Sequence, residues 1–184
     1  VDSSALLDKA WAEEAGIGWI GKNSNLINSK IGSRMVLGRL LSTETLIADE
    51  PAKSRCGGCQ KCIEACPTQA IEEPFVVNSN KCLAYHTIEN REKVIPKEIS
   101  KKMGNWIAGC DICQDVCPWN NNKIPSSTES ELQPSAWILN LKKQEALSWS
   151  DQEWKEKLSG SALKRIKPWM WRRNINSTSN TGIK

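Results

Sequence analysis

The sequence has 184 residues and a formal net charge of +4 at pH 7, a length that allows one sizeable hydrophobic core or two small ones. It contains no run of 18 apolar residues and no secretory signal pattern, which argues against a membrane partner and favours a cytoplasmic protein. Because the chain begins at Val1 without an initiator methionine, we expect it to be part of a longer protein.

The N-terminal stretch predicts a mixture of helix and strand. Apolar residues up to Ala15 recur at helical spacing, with Asp2 as a candidate N-cap and Gly16 as a stop. Turn-forming residues at 28–32 and an apolar run at 35–41 predict a turn followed by a strand. This alternation indicates an α+β fold.

Three glycines in this stretch imitate a nucleotide-binding motif. Gly16, Gly18 and Gly21 have the GxGxxG spacing of a dinucleotide loop, which requires a strand before it, a helix after it and an acidic residue about 20 positions later. Here a helix is predicted before the glycines, and the next acidic residue is Glu44. The glycines are better interpreted as allowing a tight chain path near another ligand.

The middle of the chain contains a complete iron-sulfur motif. Cys56, Cys59, Cys62 and Cys66, followed by Pro67, have the C-x2-C-x2-C-x3-C-P spacing of two-cluster ferredoxins. In that motif three closely spaced thiolates hold one [4Fe-4S] cluster, and the fourth ligates the other cluster. Each cluster therefore needs further thiolates from elsewhere in the chain.

A second, incomplete motif supplies those thiolates. Cys110, Cys113 and Cys117 precede Pro118, and by pseudo-twofold symmetry Cys117 completes the first cluster while Cys82 completes the second. Two zinc sites or disulfides are the alternatives for eight cysteines, but the close spacing favours clusters. The predicted ligand sets are Cys56, Cys59, Cys62 and Cys117 for the first cluster, and Cys66, Cys82, Cys110 and Cys113 for the second.

The C-terminal third predicts a loop and then helices. Residues 120–134 are polar and contain two prolines, as in a linker. Ser150 and Glu153 form a candidate capping box for a following helix, and Gly160 is a candidate stop. His86, the single histidine, has no partner ligand at metal-binding spacing, so a metal-ligand role is not favoured.

The end of the chain is basic. Residues 157–184 contain seven of the 25 basic residues and none of the 21 acidic ones, and Trp169 and Trp171 alternate with cations. This pattern suits a phosphate backbone and stacked bases, although a solubilising tail packed by two indoles is equally consistent. The candidate nucleic-acid contacts are Lys164, Arg165, Arg172 and Arg173.

Taken in order, these motifs resemble the C-terminal part of the epoxyqueuosine reductases. The resemblance extends over nearly all of residues 1–175 and rests on "VDSS", "AGIGWIGKNS", "CGGCQKCIEACPTQAI", "CLAYHTIE", "GNWIAGCDICQDVCPWN" and "GSALKRI". It implies a cytoplasmic, cobalamin-dependent enzyme with two [4Fe-4S] clusters that reduces epoxyqueuosine to queuosine in tRNA, the last step of queuosine biosynthesis. An external electron donor and a monomeric state are expected.

The resemblance also implies a division of the chain and roles for individual residues. Residues 1–52 would be the end of the cobalamin and catalytic domain, 53–122 a two-cluster ferredoxin-like domain, and 123–184 a helical basic segment. Asp2 matches the acid that protonates the substrate oxygen. The cobalamin-facing residues would be Asn23, Ala84, where the family commonly has serine, Cys110 and Asp111.

Two other functions fit parts of this pattern. A reductive dehalogenase-like enzyme also pairs cobalamin with two clusters but needs no basic tail. A ferredoxin-type electron carrier would bind neither cobalamin nor tRNA. No DxHxxG motif for a lower cobalt ligand is present, which is compatible with the base-off binding of cobalamin in the reductases.

Overall fold

The structure is a computed structural model that describes residues 6–120, 127–134 and 136–178. In the described part of the chain no helix is long and apolar enough to cross a membrane. The α-helices are α1 (Asp8–Glu14), α2 (Lys61–Ala65), α3 (Lys97–Ser100), α4 (Ile112–Asp115), α5 (Ala136–Leu139), α6 (Lys143–Ser148), α7 (Asp151–Lys157) and α8 (Pro168–Ser177). The strands are β1 (Trp19–Ile20), β2 (Leu26–Ile27), β3 (Ile71–Glu73) and β4 (Val76–Val77).

The chain folds as two compact units, each assembled from two separate stretches of sequence. The first unit comprises residues up to 77 together with those from 111 to 126, and the second comprises residues 78–110 together with those from 127 onward. Helices combined with two small antiparallel sheets agree with the predicted α+β class. The predicted three-part domain division remains a prediction.

The first unit is built on two hairpins and a helix pair. α1 packs against the β1–β2 hairpin, in which Trp19 pairs with Ile27, and α2 packs against α4. β3 and β4 pair through a bulge, and their turn contains Phe75 at a φ of 74°. The Phe75 amide donates to the carbonyl of Lys22, which fixes this turn against the β1–β2 loop.

One prediction for the N-terminal stretch needs correction, and another falls outside the described residues. The turn at 28–32 is present and closes with a bridge between Asn28 and Gly32, but residues 35–41 form no strand. Val36 and Leu40 are exposed, and the four strands of the described residues already pair with each other, which leaves none of them to pair with this run. The first helix begins at Asp8 without a side-chain cap; the predicted cap, Asp2, lies outside the described residues.

The second unit has a tryptophan-rich core beneath α8. Trp149 and Trp171 stack with centroids 5.9 Å apart, and the Trp171 indole donates to the carbonyl of Ala146. The predicted capping box of α7 is confirmed, since Ser150 accepts from the Glu153 amide and Glu153 accepts from the Ser150 amide. A smaller core contains Leu83, Ile95, Ile99 and Met103.

Candidate iron-sulfur site and its surroundings

Four cysteines of the first unit surround one cavity. Its volume is about 250 Å³, and its lining includes Cys56, Cys59, Cys62 and Cys117, the predicted ligands of the first cluster. All eight cysteines lie in the described part of the chain, where they are half-buried and form no disulfide. A cavity of this size between four thiols suits a polynuclear cluster.

The thiols that line this cavity raise one another's pKa. Burial raises the pKa of Cys62, and the neighbouring charges of Cys117 and Cys56 raise it further. Burial likewise raises the pKa of Cys117, again with contributions from Cys56 and Cys59. Like charges disfavour one another's ionised form, and bound iron would relieve this repulsion because it is cationic.

Local sequence explains how the thiols converge. The Cys59 amide donates to the Cys56 carbonyl in a tight turn, Gly57 adopts a φ of 50°, and α2 then carries Cys62. Because α2 packs against α4, the chain that leaves α4 brings Cys117 to the same place. Prolines after Cys66 and Cys117 disfavour helical backbone at those cysteines, and Cys66 is extended, with ψ at 112°.

Cys66 has its own hydrogen-bonding environment. Its Sγ accepts from the Ala70 amide at 3.2 Å and lies 3.6 Å from the Thr68 hydroxyl. Burial acts to raise the pKa of Cys66, but the amide and hydroxyl contacts outweigh burial and lower it. These donors therefore favour a thiolate, the form that binds iron.

The β1–β2 loop lies beside the first cavity. Lys22 and Asn23 both line it; the Lys22 ammonium donates to the carbonyls of Gly57 and Cys59, at 2.7 and 2.9 Å. The buried Asn23 amide donates to the Cys113 carbonyl at 3.3 Å. The loop thus contacts the backbone around three predicted cluster ligands.

Two glycines of this stretch allow close packing within the hairpin. A Cβ at Gly18 would lie 2.3 Å from the Ile27 carbonyl oxygen, and a Cβ at Gly21 would lie 2.4 Å from the Ile27 side chain. The segment is strand, loop and strand instead of strand, loop and helix. A dinucleotide loop is therefore wrong for these residues.

The second unit contains the other two predicted ligands of the second cluster, Cys82 and Cys110. The chain after Cys82 forms a π-helix over Tyr85–Glu89. Thr87 in this helix is fully buried, donates to the Leu83 carbonyl at 2.9 Å, and accepts from the Gly109 amide at 3.0 Å. One hydroxyl thus links the residues adjacent to both cysteines.

Two other predicted cofactor contacts are half-buried, whereas the single histidine is buried. Ala84 and Asp111 are half-buried, and one Asp111 oxygen accepts from the Gln114 amide at 2.7 Å. His86 is buried, with Nε2 2.8 Å from the Asn80 carbonyl and Nδ1 3.0 Å from the Asn90 amide. Both ring nitrogens are therefore engaged, which agrees with the expectation that His86 is not a metal ligand.

The basic C-terminal residues separate into buried and exposed groups. Arg173 is 9% exposed, and its guanidinium donates to three backbone carbonyls, those of His86, Asn90 and Glu92. Burial, and then the positive charge of Arg91, lower the pKa of Arg173. Arg173 is thus an internal residue, and its interpretation as a nucleic-acid contact is not supported.

The remaining candidates lie nearer the surface. Lys164 and Arg165 are exposed, and Arg165 pairs with Glu89 at 2.7 Å. Arg172 is half-buried and pairs with Asp151 at 2.6 Å. Trp171 is a core residue, so it offers no stacking platform, whereas Trp169 is half-buried with the Lys93 ammonium 4.5 Å from its ring centroid.

Sequence reasoning missed the polar contacts of α8. Asn174 is fully buried and its amide donates to the carbonyls of Thr87 and Ile107, at 2.7 and 2.9 Å. The available signal was the position of Asn174 three and four residues after Trp171 and Met170, on the apolar face of the helix, since a buried amide requires partners.

Comparison with known proteins agrees with this geometry. Residues 55–120 match the family described as a 4Fe-4S double cluster binding domain. The chain is 73% identical over 179 residues to an epoxyqueuosine reductase of Prochlorococcus marinus (strain NATL2A), a match that covers 97% of this chain and 57% of that relative.

Two solved structures of epoxyqueuosine reductases share the fold. One was crystallised with a tRNA-Tyr epoxyqueuosine-modified tRNA stem loop; it has a TM-score of 0.89 and 33% identity, covering 96% of this chain and 46% of that one. The other, from Bacillus subtilis with its catalytic aspartate loop swung out of the active site, has a TM-score of 0.87 and 33% identity, covering 94% and 45%. The chain, which spans little more than half the length of the curated relative above, corresponds in sequence and fold to the C-terminal part of the epoxyqueuosine reductases.

Proposed function

We propose that this chain is the electron-transferring and substrate-facing part of an enzyme that reduces epoxyqueuosine to queuosine in tRNA. The observation that supports it best is the cavity lined by Cys56, Cys59, Cys62 and Cys117, within a segment that matches a double cluster domain. The likeness to epoxyqueuosine reductases over 97% of the chain supplies the substrate class. A tRNA substrate implies a cytoplasmic enzyme, which we expect to act as a monomer.

The cysteines are proposed to hold two [4Fe-4S] clusters. The first would be bound by the four thiols around the cavity, and the grouping of their charges supports this set. The second would be bound by Cys66, Cys82, Cys110 and Cys113, the set that the spacing of the two motifs predicts. The clusters would accept single electrons from an external donor and pass them to the catalytic cofactor.

Cobalamin is proposed as that cofactor, and it would supply a strongly reducing cobalt centre when bound. Ala84, Cys110 and Asp111 are half-buried and therefore have surface to offer to a corrin ring. Asn23 is buried and bonded to the Cys113 carbonyl, so its contribution would include holding the loop in place. These four residues remain the proposed contacts of the chain with cobalamin.

Asp2 is proposed as the proton donor. Reduction of the epoxide to an alkene consumes two electrons and two protons and releases the oxygen as water, so an acid is needed at the oxygen as the carbon–oxygen bond breaks. The Bacillus subtilis relative has a catalytic aspartate loop, which supports an aspartate in this role. Lys164, Arg165 and Arg172 are proposed as contacts to the tRNA backbone.

Anaerobic reconstitution of the full-length protein tests the proposal. We expect about eight irons per chain, uptake of cobalamin, and conversion of epoxyqueuosine in tRNA when a reductant is supplied. Iron uptake without cobalamin binding would instead indicate a ferredoxin-type carrier. Cobalamin binding with turnover of an organohalide and not of modified tRNA would indicate a reductive dehalogenase-like enzyme.

A further inference from the structure

The π-helix in the second unit leaves backbone carbonyls without the usual helical partners. It spans Tyr85–Glu89, and the Asn90 amide reaches back five residues to the Tyr85 carbonyl. A π-helical turn of this kind is rare and is frequently found at functional sites. Buried carbonyls that it leaves unpaired need other donors.

Two adjacent residues of α8 donate to carbonyls within the π-helix and just after it. Arg173 donates to the carbonyls of His86, Asn90 and Glu92, and Asn174 donates to the carbonyl of Thr87. The Asn174 side-chain oxygen accepts from the Arg173 guanidinium at 2.9 Å, which fixes the two side chains relative to each other. The π-helix is therefore held from one side by a connected polar network.

The same network reaches the chain that precedes Cys110. Asn174 also donates to the Ile107 carbonyl at 2.9 Å, and Thr87 accepts from the Gly109 amide at 3.0 Å. Gly109 has a φ of 75°, a left-handed conformation that favours glycine. The path into Cys110 is thus set by a left-handed glycine and by two hydrogen bonds from the network.

Thr87 also controls the path out of Cys82. Its hydroxyl donates to the carbonyl of Leu83 at 2.9 Å and lies 3.2 Å from that of Ala84. Thr87 therefore contacts the residue after one proposed ligand and the residue before the other. Because Thr87 is fully buried, water cannot replace either contact.

We infer that Thr87, held by Asn174, is a positioning residue that sets the separation of Cys82 and Cys110 for the second cluster. This inference rests on the proposed function, because it assumes that both cysteines bind that cluster. Thr87 touches neither cysteine side chain through its hydroxyl; it acts on the two flanking backbone segments. The residues of the first cavity lie in the other unit and do not depend on it.

The test measures cluster release in full-length, anaerobically reconstituted protein. Thr87→Val is made in a Cys117→Ala background, which retains the second cluster, and in a Cys82→Ala background, which retains the first. Loss of the visible cluster absorbance to an iron chelator is then timed. We expect Thr87→Val to accelerate release of the second cluster about fivefold, equivalent to about 1 kcal/mol, and to leave the first cluster unchanged.

Three further variants sharpen the result. Thr87→Ser keeps the hydroxyl and should restore slow release, whereas Asn174→Asp removes both amide donors and should behave like Thr87→Val. Thr178→Val is the matched control, because Thr178 is also a buried threonine whose hydroxyl donates to a backbone carbonyl, that of Ile175, within the same unit. It should release the second cluster at the wild-type rate.

The outcomes separate the inference from the proposed function. Equal acceleration of both clusters, or no acceleration by either Thr87→Val or Asn174→Asp, would overturn the inference while leaving the cluster assignment intact. An equal effect of Thr178→Val would do the same, since it would show only a general loss of stability. Absence of the second cluster from the unmutated protein would overturn the proposed ligand set, and the inference with it.

Discussion

The side-chain amide of Asn23 donates a hydrogen bond to the backbone carbonyl of Cys113, 90 residues later in the chain. This contact joins the β1–β2 loop to α4, the helix that bears a proposed ligand of the second cluster. A loop that precedes all the cysteines is therefore part of their support. Its own conformation is fixed by the Gly21 and Asn25 backbone, which bond to each other at 2.8 Å.

Replacing Asn23 with alanine tests that support. The Cys113 carbonyl would lose its side-chain donor, at an expected cost of about 1 kcal/mol. The thermal midpoint of the reconstituted protein should fall by a few degrees, while Lys30→Ala, an exposed change in the following turn, should leave it unchanged. A loss of cobalamin binding with an unchanged midpoint would show instead that Asn23 acts mainly on the cofactor.

Removal of Cys117 should abolish the first cluster selectively. The Cys117→Ala variant lacks one of the four thiols around the cavity, so the iron content should fall from about eight to about four per chain. Cys82→Ala should give the same iron content. Its electron paramagnetic resonance signal should come from the first cluster, whereas that of Cys117→Ala should come from the second. Identical residual signals in the two variants would contradict the assignment of these cysteines to different clusters.

Arg173 and Arg172 should respond differently to substitution by methionine. Arg173→Met leaves the buried carbonyls of His86, Asn90 and Glu92 without charged donors, and we expect the protein to lose about 3 kcal/mol of stability. Arg172→Met removes one surface ion pair and should cost less than about 1 kcal/mol. Denaturant midpoints measure both effects.

Substitution of Arg172 and of Arg165 tests the proposed contacts with tRNA. Arg172→Met should weaken binding of the tRNA stem loop and reduce the dependence of its affinity on salt concentration. Arg165→Met should act similarly, because Arg165 is exposed on the same unit. If the salt dependence of tRNA affinity were unchanged in both variants, these two residues would be excluded as contacts of the tRNA phosphate backbone.

The capping box of α7 should give a measurable pH dependence. The amide and hydroxyl of Ser150 lower the pKa of Glu153, so the ionised carboxylate stabilises the folded state. That contribution is present above the ordinary glutamate pKa, about 4.3, and is lost as the pH falls through the lowered folded value. The pKa of Glu153, measured by NMR titration, should rise in Ser150→Ala. It should stay low in Ser150→Thr, because threonine retains a capping hydroxyl.

An Asp2→Asn variant should lose turnover without losing its cofactors. Asparagine is nearly isosteric with aspartate but cannot supply the proton at the epoxide oxygen. We expect unchanged iron content and cobalamin binding, and at least a hundredfold slower reduction of epoxyqueuosine, on the order of the usual contribution of an acid catalyst. Normal turnover would exclude Asp2 as the acid.

Local signals predicted local structure well. The Ser150 and Glu153 pair predicted a capping box that the structure contains, because both partners lie within one helical turn. The cysteine spacing likewise predicted that Cys117 joins Cys56, Cys59 and Cys62, because ligand spacing is set by the size of the cluster; this ligand set remains a prediction. The four thiols do line one cavity.

Features that depend on distant partners were not predictable. Residues 35–41 have the composition of a strand, but the strands in the described ranges pair with each other, and sequence periodicity does not indicate whether a pairing strand is available. Arg173 looked like a phosphate contact because its charge is visible in the sequence. Its acceptors are backbone carbonyls more than 80 residues away, which no local pattern indicates.

The discontinuous first unit also constrains the order of biosynthesis. Cys56, Cys59 and Cys62 leave the ribosome together, but Cys117 follows only after the whole stretch 78–110 of the second unit has been made. At about 5–20 residues per second, this delay lasts several seconds. During that interval a cluster assembled early would have three thiolate ligands and one iron without a thiolate. We therefore expect the cluster to be inserted late, after both units have left the ribosome.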